Sequence, residues 1–238
     1  MIISFRHFQG FLSTVIFLYP HFFHRVMFKA VIFDRDGVII DSEAMNIGAG
    51  EAAFRDLGIK ITDHDKKQII AKHPKDYIAH FKKHYTFSDE KFHELSGKHY
   101  YLLTEKTPLF PLTLDLIKRL HAQNIPLALT TSASRGHTDL ILKRFNIAKF
   151  FNVIITEENC SDRKPHPEPY LLTAKKLGVD PKDCIVIEDS AIGLTAAKAA
   201  GMKCIVIPTE YTKDDDFSKA DLIVEDASKI TLDLLNSL

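Results

Sequence analysis

Four carboxylates (Asp34, Asp36, Glu188 and Asp189), a hydroxyl at Thr131 or Ser132, and the amine of Lys164 stand at or just beyond the ends of short apolar runs in this 238-residue chain. Carboxylates gathered this densely must have raised pKa values or share a cation. The atoms on offer are oxygens, with no Cys or His among them. Such a donor set suits a hard cation, most simply Mg²⁺. The lysine and the hydroxyl add fixed donors for an anionic group held at the same place.

The elements that must bring these residues together are legible in the hydropathy pattern. Runs rich in β-branched residues occur at Ala30–Asp34, Ile125–Thr131, Val153–Thr156, Cys184–Glu188 and Lys203–Pro208, with a weaker one at Asp221–Val224. Helical periodicity separates most of them, at Leu112–Ala122, Arg135–Phe145, Pro167–Leu177, Ile192–Ala200 and Ser228–Leu235. Gly178 and Gly201 stand where helix ends commonly need a left-handed residue. Continuous apolar strands alternating with helices predict an α/β fold, a Rossmann-like parallel sheet covered on both faces. In such sheets ligands bind beyond the carboxyl ends of the strands. That is where the six positions fall.

One interval breaks the alternation. Between residues 44 and 107 there is no convincing strand, only polar helical segments at Glu51–Leu57, Asp65–Ala71, Lys75–His84 and Glu90–Glu105. The expected organisation is therefore a core of residues 27–43 and 108–238 with an all-helical insert at 44–107. Residues 1–26 form an aromatic, acid-free appendage. Its longest apolar stretch, Phe11–Tyr19, is too short to cross a bilayer and no A-x-A-like cleavage site follows it. Met27 directly precedes the first strand, so translation is expected to begin there.

Asp34-Arg35-Asp36-Gly37-Val38, Thr131, Lys164-Pro165-His166-Pro167-Glu168 and Glu188-Asp189-Ser190 match, in order and spacing, the four motifs of the haloacid dehalogenase-like superfamily, which this chain resembles from Met27 onward. The position of the insert is similar to the branch with a helical cap, which includes phosphoglycolate phosphatase, sugar-phosphate phosphatases and β-phosphoglucomutase. The resemblance implies a Mg²⁺-dependent phosphatase acting on a small phosphomonoester (a sugar, polyol or glycolate phosphate), through an aspartyl phosphate on Asp34. Asp36 would pass a proton to the leaving oxygen and then take one from water. Lys164 and Thr131, or Ser132, would hold the phosphoryl oxygens. Asp34, the backbone carbonyl of Asp36, and Asp189 would hold the metal, with Glu188 in support. The aspartate at 36 separates this reading from the dehalogenases, which use neither metal nor that acid.

Departures from the family pattern carry information of their own. Asn46 stands where the mutase branch has a histidine, which favours net hydrolysis over phosphosugar mutase chemistry. The cap loop reads Ala71-Lys72-His73-Pro74-Lys75-Asp76 without its usual glycine, making Lys72, His73 and Lys75 candidates for substrate contact. Leu112 rather than glycine follows Pro111, where the chain re-enters the core. A phospho-acceptor receiver domain is the alternative from another class, but it lacks both the helical insert and an acid two residues after the acceptor.

Other motifs read more plainly. Asp63-His64-Asp65 repeats the Asp-x-Asp spacing but precedes a helix, which points to capping. His80 and His84 share a helix face without an apparent third metal ligand, and Asp214-Asp215-Asp216 reads as a solvated loop. Neither a P-loop nor a G-x-S-x-G elbow is present. Three cysteines without a C-x-x-C pair suit a reducing, cytoplasmic setting, with the thiols as small apolar residues. Lys+Arg 31 against Asp+Glu 31 argues against a nucleic-acid binder; no membrane partner is expected and a monomer is the default. Within that neutral total, Lys60–His84 carries seven lysines and three aspartates, a basic segment suited to an anionic substrate.

Overall fold

The computed structural model of the protein describes residues 28–66, 68–69 and 74–238. The expected appendage at 1–26 and the expected start at Met27 lie outside the described residues, as do Lys72, His73 and the side chain of Lys75. Six strands form one sheet: β1 (Ala30–Phe33), β2 (Leu127–Thr130), β3 (Val153–Ile155), β4 (Cys184–Glu188), β5 (Lys203–Val206) and β6 (Leu222–Ile223). Every pairing is parallel, in the order β3-β2-β1-β4-β5-β6. The chain winds outward from β1 through β2 to β3, then returns to place β4 on the other side of β1. A parallel sheet opens a crevice at such a reversal.

The central strands are largely apolar because both of their faces are covered. Val31 and Phe33 pack with Leu116, Ile117 and Leu120 of helix α5 (Pro111–Ala122) and with Ile141 and Leu142 of α6 (Arg135–Phe145). Ala30 and Ile32 face Tyr170 and Ala174 of α7 (Glu168–Leu177) and Ala196 and Ala197 of α8 (Ala191–Ala199). Cys184 and Cys204 are buried in this second layer, and burial pushes the Cys184 thiol up to about 12. Both Gly178 and Gly201 adopt positive φ at helix ends, as the sequence predicts. The expected C-terminal helix over Ser228–Leu235 is instead two pieces, a single turn at Ala227–Lys229 and α9 (Leu232–Ser237). Asp226 and Thr231 each cap a fresh start, and the second cap interrupts the first helix.

The insert is an all-helical cap: α1 (Glu43–Asp56), α2 (Asp63–Lys66), α3 (Pro74–Phe81) and α4 (Asp89–Thr104). Phe54, Phe81 and Phe92 make its centre, with the Phe54 ring centroid 4.3 Å from Phe81 and 4.7 Å from Phe92. α1 begins at Glu43 rather than at the expected Glu51. Gly48 and Gly50 look like helix breakers in sequence, but a Cβ on Gly48 would sit 3.2 Å from Leu103 of α4. The missing side chain lets the two helices approach. The Asp-x-Asp at 63–65 is a helix start whose box is closed by Thr62 and Asp65, as Thr62 donates its N–H and Oγ1 to the Asp65 carboxylate. The two linkers between cap and core run side by side: Ile40 bridges Leu109, Asp41 N–H donates to Pro108 O at 3.0 Å, and Phe110 N–H donates to Ile39 O at 2.9 Å. No described helix is long and apolar enough to cross a membrane.

Candidate active site

Strand register sets the positions of the acidic groups. Phe33 is level with both Leu129 and Ile187, so Asp34 emerges beside Thr130 on one side and Glu188 on the other. Lys164, from the loop after β3, inserts between them. Its Nζ donates to Asp34 Oδ1 at 2.6 Å, to Glu188 Oε1 at 2.7 Å and to Thr130 O at 3.1 Å. The same Nζ lies 4.6 Å from the centroid of the Tyr170 ring, whose hydroxyl donates to Glu188 Oε1. Glu188 Oε2 accepts from Asp189 N–H at 3.1 Å and Ser190 Oγ at 3.2 Å. Both oxygens of this buried glutamate are thus already engaged. Its approach depends on Gly193 in the first turn of α8, where a Cβ would stand 1.8 Å from Glu188 Oε1.

Asp34, Glu188 and Asp189 bring carboxylate oxygens within 4.8 Å of one another, a group fit to hold a metal ion. Burial is the largest influence on Asp34, and the negative charges of Glu188 and Asp36 add to it. Together they outweigh Lys164 and push the Asp34 carboxyl up to about 7. Burial, then Glu188 and Asp34, likewise hold Asp189 well above the usual carboxylate range. The donor set is all oxygen, as the hard-cation expectation requires. Gly37 closes the site from beneath. Its φ is +74° and a Cβ there would fall 2.0 Å from Asp189 Oδ2, so the turn after Asp36 needs glycine both for its backbone and for its neighbour.

Asp36 does not join the metal group through its carboxylate. That side chain turns to Arg35, and Thr131 Oγ1 donates to its Oδ2 at a long 3.4 Å. Thr131 is buried, its Oγ1 accepting from Ala133 N–H at 3.1 Å, and Ser132 is half-buried beside it. Both border the same cavity of about 700 Å³, together with Asp34, Asp36, Lys164, Glu188 and Asp189. The six core positions singled out by sequence, along with Ser132, therefore converge. Asn46 also borders the cavity.

Several cavity residues escaped the sequence reading. His93, Ser96, Gly97 and Tyr100 of α4 line the cap side. Their spacing is i, i+3, i+4, i+7, so a polar stripe on one helix face was the available signal. His137 of α6 lies with its ring centroid 4.1 Å from Tyr100, and burial and Arg35 lower its pKa. Tyr170 stands two residues beyond the Lys164–Glu168 motif and carries no sequence marker of its contact with Glu188. A second group, Asp162, His166 and Glu168, also brings possible ligand atoms together. It lies mostly exposed, and the Glu168 carboxylate is already taken by the N–H groups of Ser161 and Asp162. His80 and His84, with ring centroids 5.9 Å apart, join no such group among the described residues.

Comparison with known proteins places this geometry in context. The family model described as haloacid dehalogenase-like hydrolase matches residues 31–207. The chain is 31% identical over 219 residues to the protein CbbY of Rhodobacter capsulatus, covering 84% of this chain and 94% of that one. It is 30% identical to hexitol phosphatase B of Escherichia coli, over 85% of this chain and 94% of that one. Among solved structures, a β-phosphoglucomutase from Clostridium difficile superposes with a TM-score of 0.74 at 28% identity, covering 88% and 96% of the two chains.

Proposed function

The chain belongs to the haloacid dehalogenase-like hydrolases and is a phosphoric monoester hydrolase of their capped branch, and we propose that it uses Mg²⁺ to hydrolyse a small sugar or polyol phosphate through an aspartyl phosphate on Asp34. The observation that carries this reading is the buried convergence of Asp34, Glu188 and Asp189, with Lys164 between the first two, facing a cavity bordered by the cap.

Asp34, Asp189 and the carbonyl of Asp36 are the groups we assign to the cation. Mg²⁺ bound there supplies positive charge to the phosphoryl oxygens. Glu188, with both oxygens engaged, supports from outside by fixing Lys164. Asp34 attacks phosphorus, the ester P–O bond breaks, and Asp36 delivers a proton to the departing oxygen. Asp36 then takes a proton from the water that attacks the aspartyl phosphate, releasing phosphate and restoring Asp34. Lys164 and Thr131 hold the charge that gathers on the transferring group. Lys72, His73 and Lys75 remain proposed contacts for the rest of the substrate.

Asn46 supplies no group able to shuttle a proton at a sugar hydroxyl, which favours hydrolysis over the mutase reaction. Asp41 and Glu43 also line the cavity and oppose a substrate carboxylate, so polyol and sugar phosphates fit better than phosphoglycolate. The reading is tested by phosphate release from a hexitol phosphate, a pentose phosphate and phosphoglycolate, with Mg²⁺ and with EDTA. Turnover of at least one polyol or sugar phosphate that EDTA abolishes is the expected result, with kcat/KM at least about tenfold above phosphoglycolate. Unchanged turnover in EDTA, or none with Mg²⁺, sinks the proposal.

The cation assignment also fixes a pH dependence. The Asp34 carboxyl lies near 7 in the metal-free fold, against about 3.9 for an unfolded aspartate. The fold therefore binds the proton more tightly than the unfolded chain does. The stability this gives is complete below about pH 4 and is lost as pH rises through about 7. Mg²⁺ competes with that proton. Thermal melting of the metal-free protein is expected to show this contribution fading from pH 5 to pH 8, and Mg²⁺ is expected to raise Tm more at pH 8 than at pH 5. An equal Mg²⁺ increment at both pH values contradicts the assignment.

A further inference from the structure

Arg35, between the two motif aspartates, is among the largest fully buried side chains of the molecule, yet nothing in the reaction described above uses it. Its side chain is 2% exposed, whereas that of Asp36 is 32% exposed. Packing therefore leaves the Asp36 carboxylate free to turn, and hydrogen bonds must choose its orientation. Besides the 3.4 Å contact from Thr131, the choice falls to Arg35. Its Nη2 donates to Asp36 Oδ1 at 3.0 Å and Oδ2 at 2.8 Å, and its Nε donates to Oδ2 at 3.1 Å. A planar guanidinium fixes a carboxylate in direction as well as in distance, which a lysine at the same place cannot do.

The remaining donors of Arg35 point to two other elements. Nη2 also donates to the hydroxyl of Tyr100, on cap helix α4, at 2.9 Å, and Nη1 donates to Thr138 Oγ1, on core helix α6, at 3.3 Å. Tyr100 is wedged in turn against His137 of α6. Farther along α4 the cap is held to the same core helix by Arg144, whose Nη1 donates to the carbonyls of Thr104 and Thr107. The guanidinium that contacts Asp36 is thus hydrogen-bonded to the cap as well as to the core.

We propose that Arg35 is a positioning residue that aims the Asp36 carboxylate and, through Tyr100, makes that aim depend on the docked cap. The proposal rests on the reading of Asp36 as the proton carrier of a phosphatase. Its consequence is selective: a misaimed acid matters where the leaving oxygen needs a proton, and matters less where that oxygen departs as a stable anion.

Two esters of nearly equal size separate these cases. Phenyl phosphate releases a phenol as weak an acid as a tyrosine side chain, with a pKa of about 10, whereas p-nitrophenyl phosphate releases a stabilised phenolate. Arg35→Met is expected to lower kcat for phenyl phosphate about tenfold more than for p-nitrophenyl phosphate, and Arg35→Lys is expected not to restore the ratio. In an Asp36→Asn background the same replacement should leave the ratio unmoved, because no acid remains to be aimed. Tyr100→Phe, which deletes one oxygen and keeps the ring against His137, should shift the ratio in the same direction by a smaller factor. It serves as the test if Arg35→Met does not fold. Equal losses for both esters in Arg35→Met and an unshifted ratio in Tyr100→Phe overturn the proposal. Wild-type protein that releases phosphate from neither ester, nor from a sugar or polyol phosphate, overturns the phosphatase reading instead, so the two failures are distinguishable.

Discussion

Asp34→Asn is expected to lower kcat by on the order of 10⁴-fold or more, because the nucleophile acts as one unit with its surroundings and no neighbouring group replaces it. The same substitution is expected to leave the metal-free protein at least as thermostable as wild type at pH 8. Burial beside Glu188 and Asp36 pushes the Asp34 carboxyl up to about 7, so above that pH wild type carries a charge that its surroundings oppose. An amide removes that penalty. Lys164 keeps Glu188 and the Thr130 carbonyl as partners. Activity and stability therefore move in opposite directions, a pattern that general misfolding does not produce. Phosphate-release kinetics alongside thermal melting check it, and a variant with more than a few per cent of wild-type turnover removes Asp34 from the nucleophile role.

Lys164→Met is expected to damage both properties together. The lysine is the single cation contacting Asp34 and Glu188 among their described hydrogen-bond partners, and its side chain is 5% exposed. Removing one member of a buried ionic cluster leaves the others uncompensated, at a cost of about 3–5 kcal/mol. Transition-state charge also loses a donor, worth about 10²–10³ in kcat. Chemical denaturation should show a lower midpoint, and saturating Mg²⁺ should recover part of the stability without restoring turnover. Lys164→Arg is not expected to rescue, since the planar fork does not fit between Asp34 Oδ1, Glu188 Oε1 and the Thr130 carbonyl. A midpoint equal to wild type contradicts the account of Lys164 as the cluster's internal counter-charge.

Lys164, in the loop well past β3, was legible only through the Pro-x-Pro-Glu run that follows it, whereas Asp34 was legible because a parallel sheet turns chain order into spatial order. Each strand is a continuous apolar run, and the residue that follows it stands on the same sheet edge as its counterparts. The role of Glu188 was less legible. Its acidic side chain reads as a metal ligand, whereas the fold commits both oxygens to Lys164, Tyr170, Asp189 and Ser190. Arg35 and Tyr100 meet across a domain junction, and no periodicity connects a strand-end loop with a distant helix. The early start of α1 was hidden for a related reason. Gly48 lowers helix propensity locally, yet the helix gains more from packing against α4 than glycine costs it.

The paired linkers at Ile40 and Leu109 have a consequence for how such a molecule can change over generations. The chain leaves the core and re-enters it at nearly one point, so the core experiences the cap as a closed excursion. The entropy of closing a loop grows so slowly that doubling its length costs only about 0.6 kcal/mol. Segments of quite different size can therefore be exchanged at this junction with little effect on the sheet beneath. The core and the cap are free to follow separate histories, held in common chiefly by the few side chains that bridge them.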